Sequence, residues 1–162
     1  MAKITAGIGC SHVPAIGAAF DQGLTQDAYW KPLFDGYEPA REWIKKHKPD
    51  VAILVYNDHG SALTLDLIPT LGIGVADEFQ PADEGWGPRQ VPVVKGHSAL
   101  AWHITESLIT NEFDMCVMNK LDVDHGLTVP LNIMCGKVDD WPFAVIPVPI
   151  NVVMFPIPNG DH

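Results

Sequence analysis

The stretch ILVYNDHG, residues 53–60, changes character in its middle. Residues 53–56 are aliphatic and aromatic, as is typical of a sheet interior. Residues 57–59 are polar, and a glycine follows them. The pattern predicts a buried strand from Val51 to Tyr56 with the imidazole of His59 just beyond its carboxyl end.

Composition and charge limit the classes of protein that fit. The 162 residues are 47% hydrophobic and 19% charged, which suits one globular domain, residues 1–162. The formal net charge of −10 argues against nucleic acid and anionic membrane surfaces as partners. No apolar run approaches the roughly 18 residues of a membrane helix, and the amino terminus lacks the apolar core of a secretory signal. Three scattered cysteines fit a reducing compartment, so we expect a cytoplasmic protein.

Strand and helix patterns alternate along the chain. Helical patterns span Tyr29–Lys48, with Pro39 starting a second helical segment, and Ser98–Ile109. Further strands are predicted at Ile4–Cys10, Leu71–Val75, Met115–Met118 and Val145–Val153. Pro147 and Pro149 should put the last strand at an edge or a bulge, because proline has no N–H for the ladder. The alternation predicts an α/β fold with a mostly parallel central sheet flanked by helices.

Two histidines directly follow predicted strands. His12 comes after Ile4–Cys10, and His59 comes after Val51–Tyr56. Ligands of open α/β sheets bind beyond the carboxyl ends of the strands. Two imidazoles at neighbouring ends could supply two ligands of an open metal site, and a carboxylate would complete the set that suits ferrous iron. The alternative is that each histidine only satisfies nearby backbone groups.

Two loop regions hold further candidates. His125, in KLDVDHGLTVP, is expected at a strand end or in a loop, where it could bind substrate, transfer a proton or hold a metal ligand's tautomer. The alternative is a surface histidine in an Asx-type turn. The Pro- and Gly-rich segment 79–97 is expected to be a long loop. Its Arg89 is available for a carboxylate, and the alternative is a solvated loop held by Trp86.

Five segments, in this order, resemble a known family. They are SHVPAIGAA (11–19), VAILVYNDHG (51–60), PADEGWGPR (81–89), DVDHGLTVPL (122–131) and PVPINVV (147–153). Together they resemble the beta, catalytic subunit of protocatechuate 4,5-dioxygenase, a class III extradiol ring-cleavage dioxygenase. The resemblance runs from Ile4 to about Pro158.

The resemblance implies specific roles for four residues. His12 and His59 would bind a non-haem Fe(II), Ala18 would line the substrate pocket, and His125 would be a catalytic residue beside the substrate. The implied reaction is extradiol cleavage by O2 of a catechol that has a carboxylate, protocatechuate or gallate. An alpha subunit and a homo- or hetero-oligomer are the implied partners.

Two residues of the family's pattern are missing from this sequence. The glutamate that completes the iron triad and an acid–base histidine in a Ser-His-Gln motif belong to the family's carboxyl-terminal half. We therefore expect a chain truncated relative to the family, an amino-terminal part of a longer enzyme that binds iron weakly alone, since two neutral imidazoles leave the ion's charge uncompensated. A short paralogue, or a second chain that supplies the missing half, are the alternatives.

Two other functions stay open. The same fold could serve as a non-catalytic binding or scaffolding module with structural histidines. A zinc hydrolase would need a third ligand and a positioned water-activating group, and the sequence offers no clear candidate for either.

Overall fold

The computed structural model describes residues 2–160, so both ends of the predicted 1–162 domain lie outside the described residues. These residues form five α-helices: α1 Pro14–Asp21, α2 Lys31–Gly36, α3 Glu38–His47, α4 Ser98–Thr110 and α5 His125–Cys135. They also form six strands: β1 Val51–Asp58, β2 Leu71–Gly74, β3 Glu78–Phe79, β4 Val94–Lys95, β5 Met115–Met118 and β6 Ala144–Asn151. No described helix combines the length and hydrophobicity that crossing a membrane requires.

The central sheet has the strand order β1-β6-β2-β5. β1 is parallel to β6 and β2 is parallel to β5. The two pairs meet in antiparallel orientation, with Leu71 opposite Ile150. The predicted α/β fold with a mostly parallel sheet is confirmed. Because β1 and β6 are parallel, their carboxyl ends lie at the same edge of the sheet.

Helices pack on the sheet in two groups. Helix α5 contacts α1, α3 and β1, and its residues from His125 to Met134 are all buried. Helix α4 contacts β2 and β5, over a separate apolar cluster of Ile73, Val75, Ala101 and Ile146. Helix α5 is therefore the central helix of the layer that faces β1.

Strand β6 lies between β1 and β2, so its expected position at an edge is wrong. The N–H groups of successive strand residues point to opposite sides, and the N–H of Asn151 donates to the Thr70 carbonyl beside β2. Pro147 and Pro149 precede Asn151 by four and two residues, so their backbone nitrogens face the same side as its N–H. The N–H groups that proline lacks would therefore lie on the β2 side. The rings of Pro147 and Pro149 face Gly74 and Gly72 respectively. Because Gly72 and Gly74 have no side chains, the two proline rings fit between β6 and β2, and β6 can lie inside the sheet.

The expected first strand, Ile4–Cys10, does not form. Residues 2–13 contain no helix or strand, and Ile4 is 95% exposed. The segment is rich in glycine and alanine, which bury little apolar area to offset the entropy of ordering the chain. In consequence β1 is an edge strand of the described sheet, and its residues Ile53 and Val55 are about half exposed rather than buried.

Substitution at Gly74 tests the close packing of β2 on β6. A Cβ there would lie 2.6 Å from Pro147 Cγ and 2.8 Å from the Phe79 ring. We expect Gly74→Ala to lower the free energy of unfolding by about 1–3 kcal/mol through overpacking, measured by urea denaturation. Gly36→Ala is the matched control, because nothing lies within 4 Å of its added Cβ. An unchanged stability for Gly74→Ala would contradict the packing.

Candidate active site

Three imidazole rings converge beside the carboxyl end of β1. The ring centroids of His12 and His59 are 5.1 Å apart, those of His59 and His125 are 4.1 Å apart, and those of His12 and His125 are 6.1 Å apart. His12 lies two residues before α1, His59 directly follows β1, and His125 is the first residue of α5. Residues 47 to 113 positions apart in sequence thus share one site.

Asp58 and Asp124 determine where His59 lies. The carboxylate of Asp58, 1% exposed, accepts hydrogen bonds from the N–H groups of Gly60, Ala62 and Leu63 and so turns the chain sharply after β1. Asp124 Oδ2 accepts the His59 N–H at 2.8 Å and contacts His59 Nδ1 at 3.0 Å. The ring therefore has Nε2 as its free nitrogen.

Helix α5 begins at the same carboxylate. Asp124 is the N-cap residue, and its Oδ1 accepts the Gly126 N–H at 2.8 Å. Such caps satisfy backbone donors that have no partner within the helix. His125, expected at a strand end or in a loop, is instead the first residue of this helix and only 9% exposed. The alternative of a surface histidine is therefore wrong.

His125 has its own carboxylate partner. Glu84 Oε2 accepts the His125 backbone N–H at 3.1 Å, and Glu84 Oε1 forms a short contact with His125 Nδ1. His125 Nε2 is buried and has no hydrogen-bond partner among the described residues. The arrangement repeats that of His59 and Asp124, in which one carboxylate binds both the backbone and the ring of a histidine.

A cavity of about 490 Å³ lies beside His125, the one of the three histidines that lines it. Ala18, which the resemblance places in the substrate pocket, lines this cavity from helix α1. The remaining walls come from α1, α5 and the segment 79–97. The other lining residues are Pro14, Ala15, Gly17, Asp21, Gln22, Glu84, Trp86, Arg89, His125 and Val129. The cavity is large enough for a single aromatic ring with substituents.

Arg89 fastens the segment 79–97 to two helices. Its Nε and Nη2 donate to the carboxylate of Asp21 on α1 at 3.0 and 2.7 Å. It also donates to Thr128 Oγ1 and Asn132 Oδ1 on α5, both at 2.9 Å. Four of the five N–H donors of Arg89 are thus bound within the protein, and its availability for a ligand's carboxylate stays a prediction. Trp86, offered as the residue that holds the loop, is 87% exposed at the cavity rim.

Burial and neighbouring rings affect the charge of His12. Partial burial lowers its pKa below the usual range, and His59 and His125 lower it further, whereas Asp124 opposes the shift. The neutral form, which binds metals, is thereby favoured.

The donor set is compatible with a divalent transition metal. Two imidazoles that each place a nitrogen about 2.1 Å from one ion have ring centroids roughly 5 Å apart, and His12 and His59 meet this requirement. Potential ligand atoms of His59, Asp124 and His125 also lie within 4.8 Å of one another. Because both oxygens of Asp124 already accept hydrogen bonds, we regard it as the partner that orients His59.

The sequence reasoning missed the two carboxylates that orient the histidines. Asp124 lies 65 residues from His59, and Glu84 lies 41 residues from His125. Only for Asp124 did the sequence contain a signal, since Asp before His-Gly fits an N-cap residue. No local sequence signal marks Glu84.

The fold and the site define an α/β protein with a histidine cluster suited to metal-dependent chemistry. A family model described as the catalytic LigB subunit of aromatic ring-opening dioxygenase matches residues 6–162. The chain therefore belongs to this family of class III extradiol dioxygenases, and the resemblance noted from its motifs is confirmed.

Curated relatives have names consistent with that membership. Gallate dioxygenase of Pseudomonas putida is 40% identical over 79 residues, which are 49% of this chain and 23% of that protein. A 2,3-dihydroxyphenylpropionate/2,3-dihydroxicinnamic acid 1,2-dioxygenase 2 of Pseudomonas putida is 31% identical over 153 residues, 94% of this chain and 45% of that protein. The corresponding enzyme of Photorhabdus laumondii is 29% identical, with 92% and 44% covered. The chain thus matches less than half the length of each relative.

Substitution of Asp124 tests its part in the site's architecture. In Asp124→Asn an amide nitrogen replaces one acceptor oxygen, so a buried donor is left unpaired. We expect the free energy of unfolding to fall by about 1–3 kcal/mol, measured by urea denaturation. Asp122→Asn, an exposed neighbour, should change stability by less than about 0.5 kcal/mol. Equal stabilities of the two variants would contradict the assigned role.

Proposed function

We propose that this chain is part of an extradiol dioxygenase that cleaves the ring of a carboxylated catechol with O2. In this proposal His12 and His59 bind Fe(II), and His125 is the catalytic residue beside the substrate. The observation that supports it most is the convergence of three imidazoles, one of which, His125, lines a cavity. Membership of the ring-opening dioxygenase family supports the class of reaction.

His12 and His59 are the residues proposed to hold the metal. His59 offers Nε2, since Asp124 contacts its Nδ1, and the lowered pKa of His12 favours the neutral ring that a metal needs. When bound, ferrous iron would supply a Lewis-acidic, redox-active centre with open positions for a diol and for dioxygen. An imidazole whose other nitrogen donates to a carboxylate is a more basic ligand, which favours His59 in this role.

His125 is proposed to contact the substrate through Nε2. This nitrogen is buried and lacks a partner, whereas Nδ1 is in contact with Glu84. A ring with its proton on Nδ1 presents a lone pair at Nε2, which can accept a proton from a catechol hydroxyl. The closeness of His125 to His59 would bring that hydroxyl near the metal ligands.

The cavity and the names of relatives support a proposal for the substrate class. Gallate and 2,3-dihydroxyphenylpropionate, in the names of relatives, both have neighbouring hydroxyls and a carboxylate. We therefore propose a catechol of this class, with protocatechuate or gallate as the substrate. Ala18 is proposed to contact the ring, because it lines the same cavity as His125 and its small side chain leaves room for a substrate. Arg89 is not assigned to the carboxylate, since Asp21 already binds it.

The remaining assignments concern the whole protein. We propose that residues 1–162 are part of one catalytic domain, and that the third metal ligand lies outside them. An alpha subunit or further copies of the chain are the proposed partners. We propose a cytoplasmic location, because all three cysteines are free and Fe(II) needs a reducing compartment.

Removal of the proposed ligands tests the function. The protein encoded by the longest reading frame that contains this chain would be reconstituted anaerobically with Fe(II). Its oxygen uptake would then be measured with gallate and with protocatechuate. We expect His12→Ala and His59→Ala to lose activity by more than about 100-fold, since even outer partners of metal ligands contribute 10–100-fold. His47→Ala is the matched control, as His47 is exposed on α3 and stacks on Trp43.

The alternative, a non-catalytic binding or scaffolding module, predicts a different result. Elemental analysis of the reconstituted wild-type protein would then find no stoichiometric iron. Full activity of either histidine variant would remove that residue from the ligand set.

A further inference from the structure

We propose that Glu84 is the positioning residue of His125, whose ring it holds with the proton on Nδ1 and Nε2 directed to the substrate. This inference deepens the proposed function and rests on it for the role of His125. The pairing itself is a separate claim about two side chains, and it can be measured without any catalytic assay.

The contacts of Glu84 are directed at one residue. Its two oxygens bind the backbone N–H and the ring Nδ1 of His125. The side chain of Glu84 is only 17% exposed and that of His125 only 11%, so water competes little for these contacts. A carboxylate oxygen can only accept here, so the ring must be the donor at Nδ1. The nitrogen left over, Nε2, is the buried atom without a partner.

The segment around Glu84 is fastened on its amino-terminal side. The N–H of Ala82 donates to the Val123 carbonyl, and the N–H of Val123 donates to the Gln80 carbonyl. Val123 directly precedes Asp124, so this ladder brings the segment beside the start of α5. The backbone just before Glu84 is therefore hydrogen-bonded to Val123, two residues before His125.

The carboxyl-terminal side is fastened by two other side chains. Asp83 Oδ1 accepts the N–H groups of Gly85 and Gly87, at 2.9 and 2.8 Å, and forms a tight turn. Both glycines have positive φ, at +104° and +84°, which other residues rarely adopt. Arg89 then binds Asp21 on α1. With both sides held, Glu84 has a defined position, as a residue that orients another must have.

The tautomer of His125 can be read by NMR. Long-range proton–nitrogen spectra of the 162-residue chain, at mildly alkaline pH, distinguish a protonated Nδ1 from a protonated Nε2. We expect the wild-type ring to have its proton on Nδ1. Glu84→Gln keeps one acceptor oxygen and should give a mixture, and Glu84→Ala keeps none and should move the proton further toward Nε2. Glu78→Gln is the matched control, because Glu78 is exposed and contacts Gln80 alone among the described side chains.

Steady-state kinetics provide the second measurement, on the Fe(II)-reconstituted protein encoded by the longest reading frame that contains this chain. Because a misoriented ring weakens proton transfer more than substrate binding, kcat for the preferred catechol should fall on the order of 10-fold to 100-fold in Glu84→Ala. KM should change much less, and Glu84→Gln should restore part of the rate.

The outcomes separate this inference from the proposed function. A wild-type ring protonated on Nε2 and not on Nδ1 would overturn the role of Glu84, whether or not any variant folds. An unchanged tautomer in Glu84→Ala would do the same. A wild-type protein without oxygen uptake, but with the expected tautomers, would overturn the proposed function and leave the pairing of Glu84 with His125 intact.

Discussion

The carboxylate of Asp124 is the constraint on which the site depends. It is 1% exposed, and a buried charge is tolerated only where hydrogen bonds replace its water. Three groups do so here: the backbone N–H and ring of His59, and the N–H of Gly126. The first two lie just beyond β1 and the third lies in the first turn of α5, whose positive dipole end also favours a negative charge. One side chain thus joins a strand end to a helix start and brings His59 beside His125.

Two histidines are each held by a carboxylate that binds both the backbone N–H and the ring Nδ1. Asp124 leaves His59 with a free Nε2 at the edge of the site, and Glu84 leaves His125 with a buried, unpartnered Nε2. A neutral imidazole held in this way has a fixed tautomer and a defined direction. In the proposed function, His59 binds the metal and His125 transfers a proton.

Much of the secondary structure follows from local patterns, and the site follows only in part. Apolar runs and helical spacing predict β1, β2, β5 and α4, because the residues that each element buries recur at a regular spacing within a short stretch of sequence. Ile4–Cys10 has a strand-like pattern, yet no partner strand or covering helix exists for it among the described residues. The interior position of β6 depends on glycines of another strand that receive its proline rings. The histidines stand out by type and context, whereas Glu84 and Asp124 act on residues distant in sequence, so only the folded chain reveals their roles.

The most direct test of the account is the position of a bound metal ion. Crystals of the chain soaked anaerobically in Fe(II) would be examined by anomalous diffraction at the iron edge. The account predicts a peak shared by ring nitrogens of His12 and His59, with Asp124 still hydrogen-bonded to His59 and outside bonding distance of the ion. A peak bound by His59, Asp124 and His125, with His12 turned away, would contradict it.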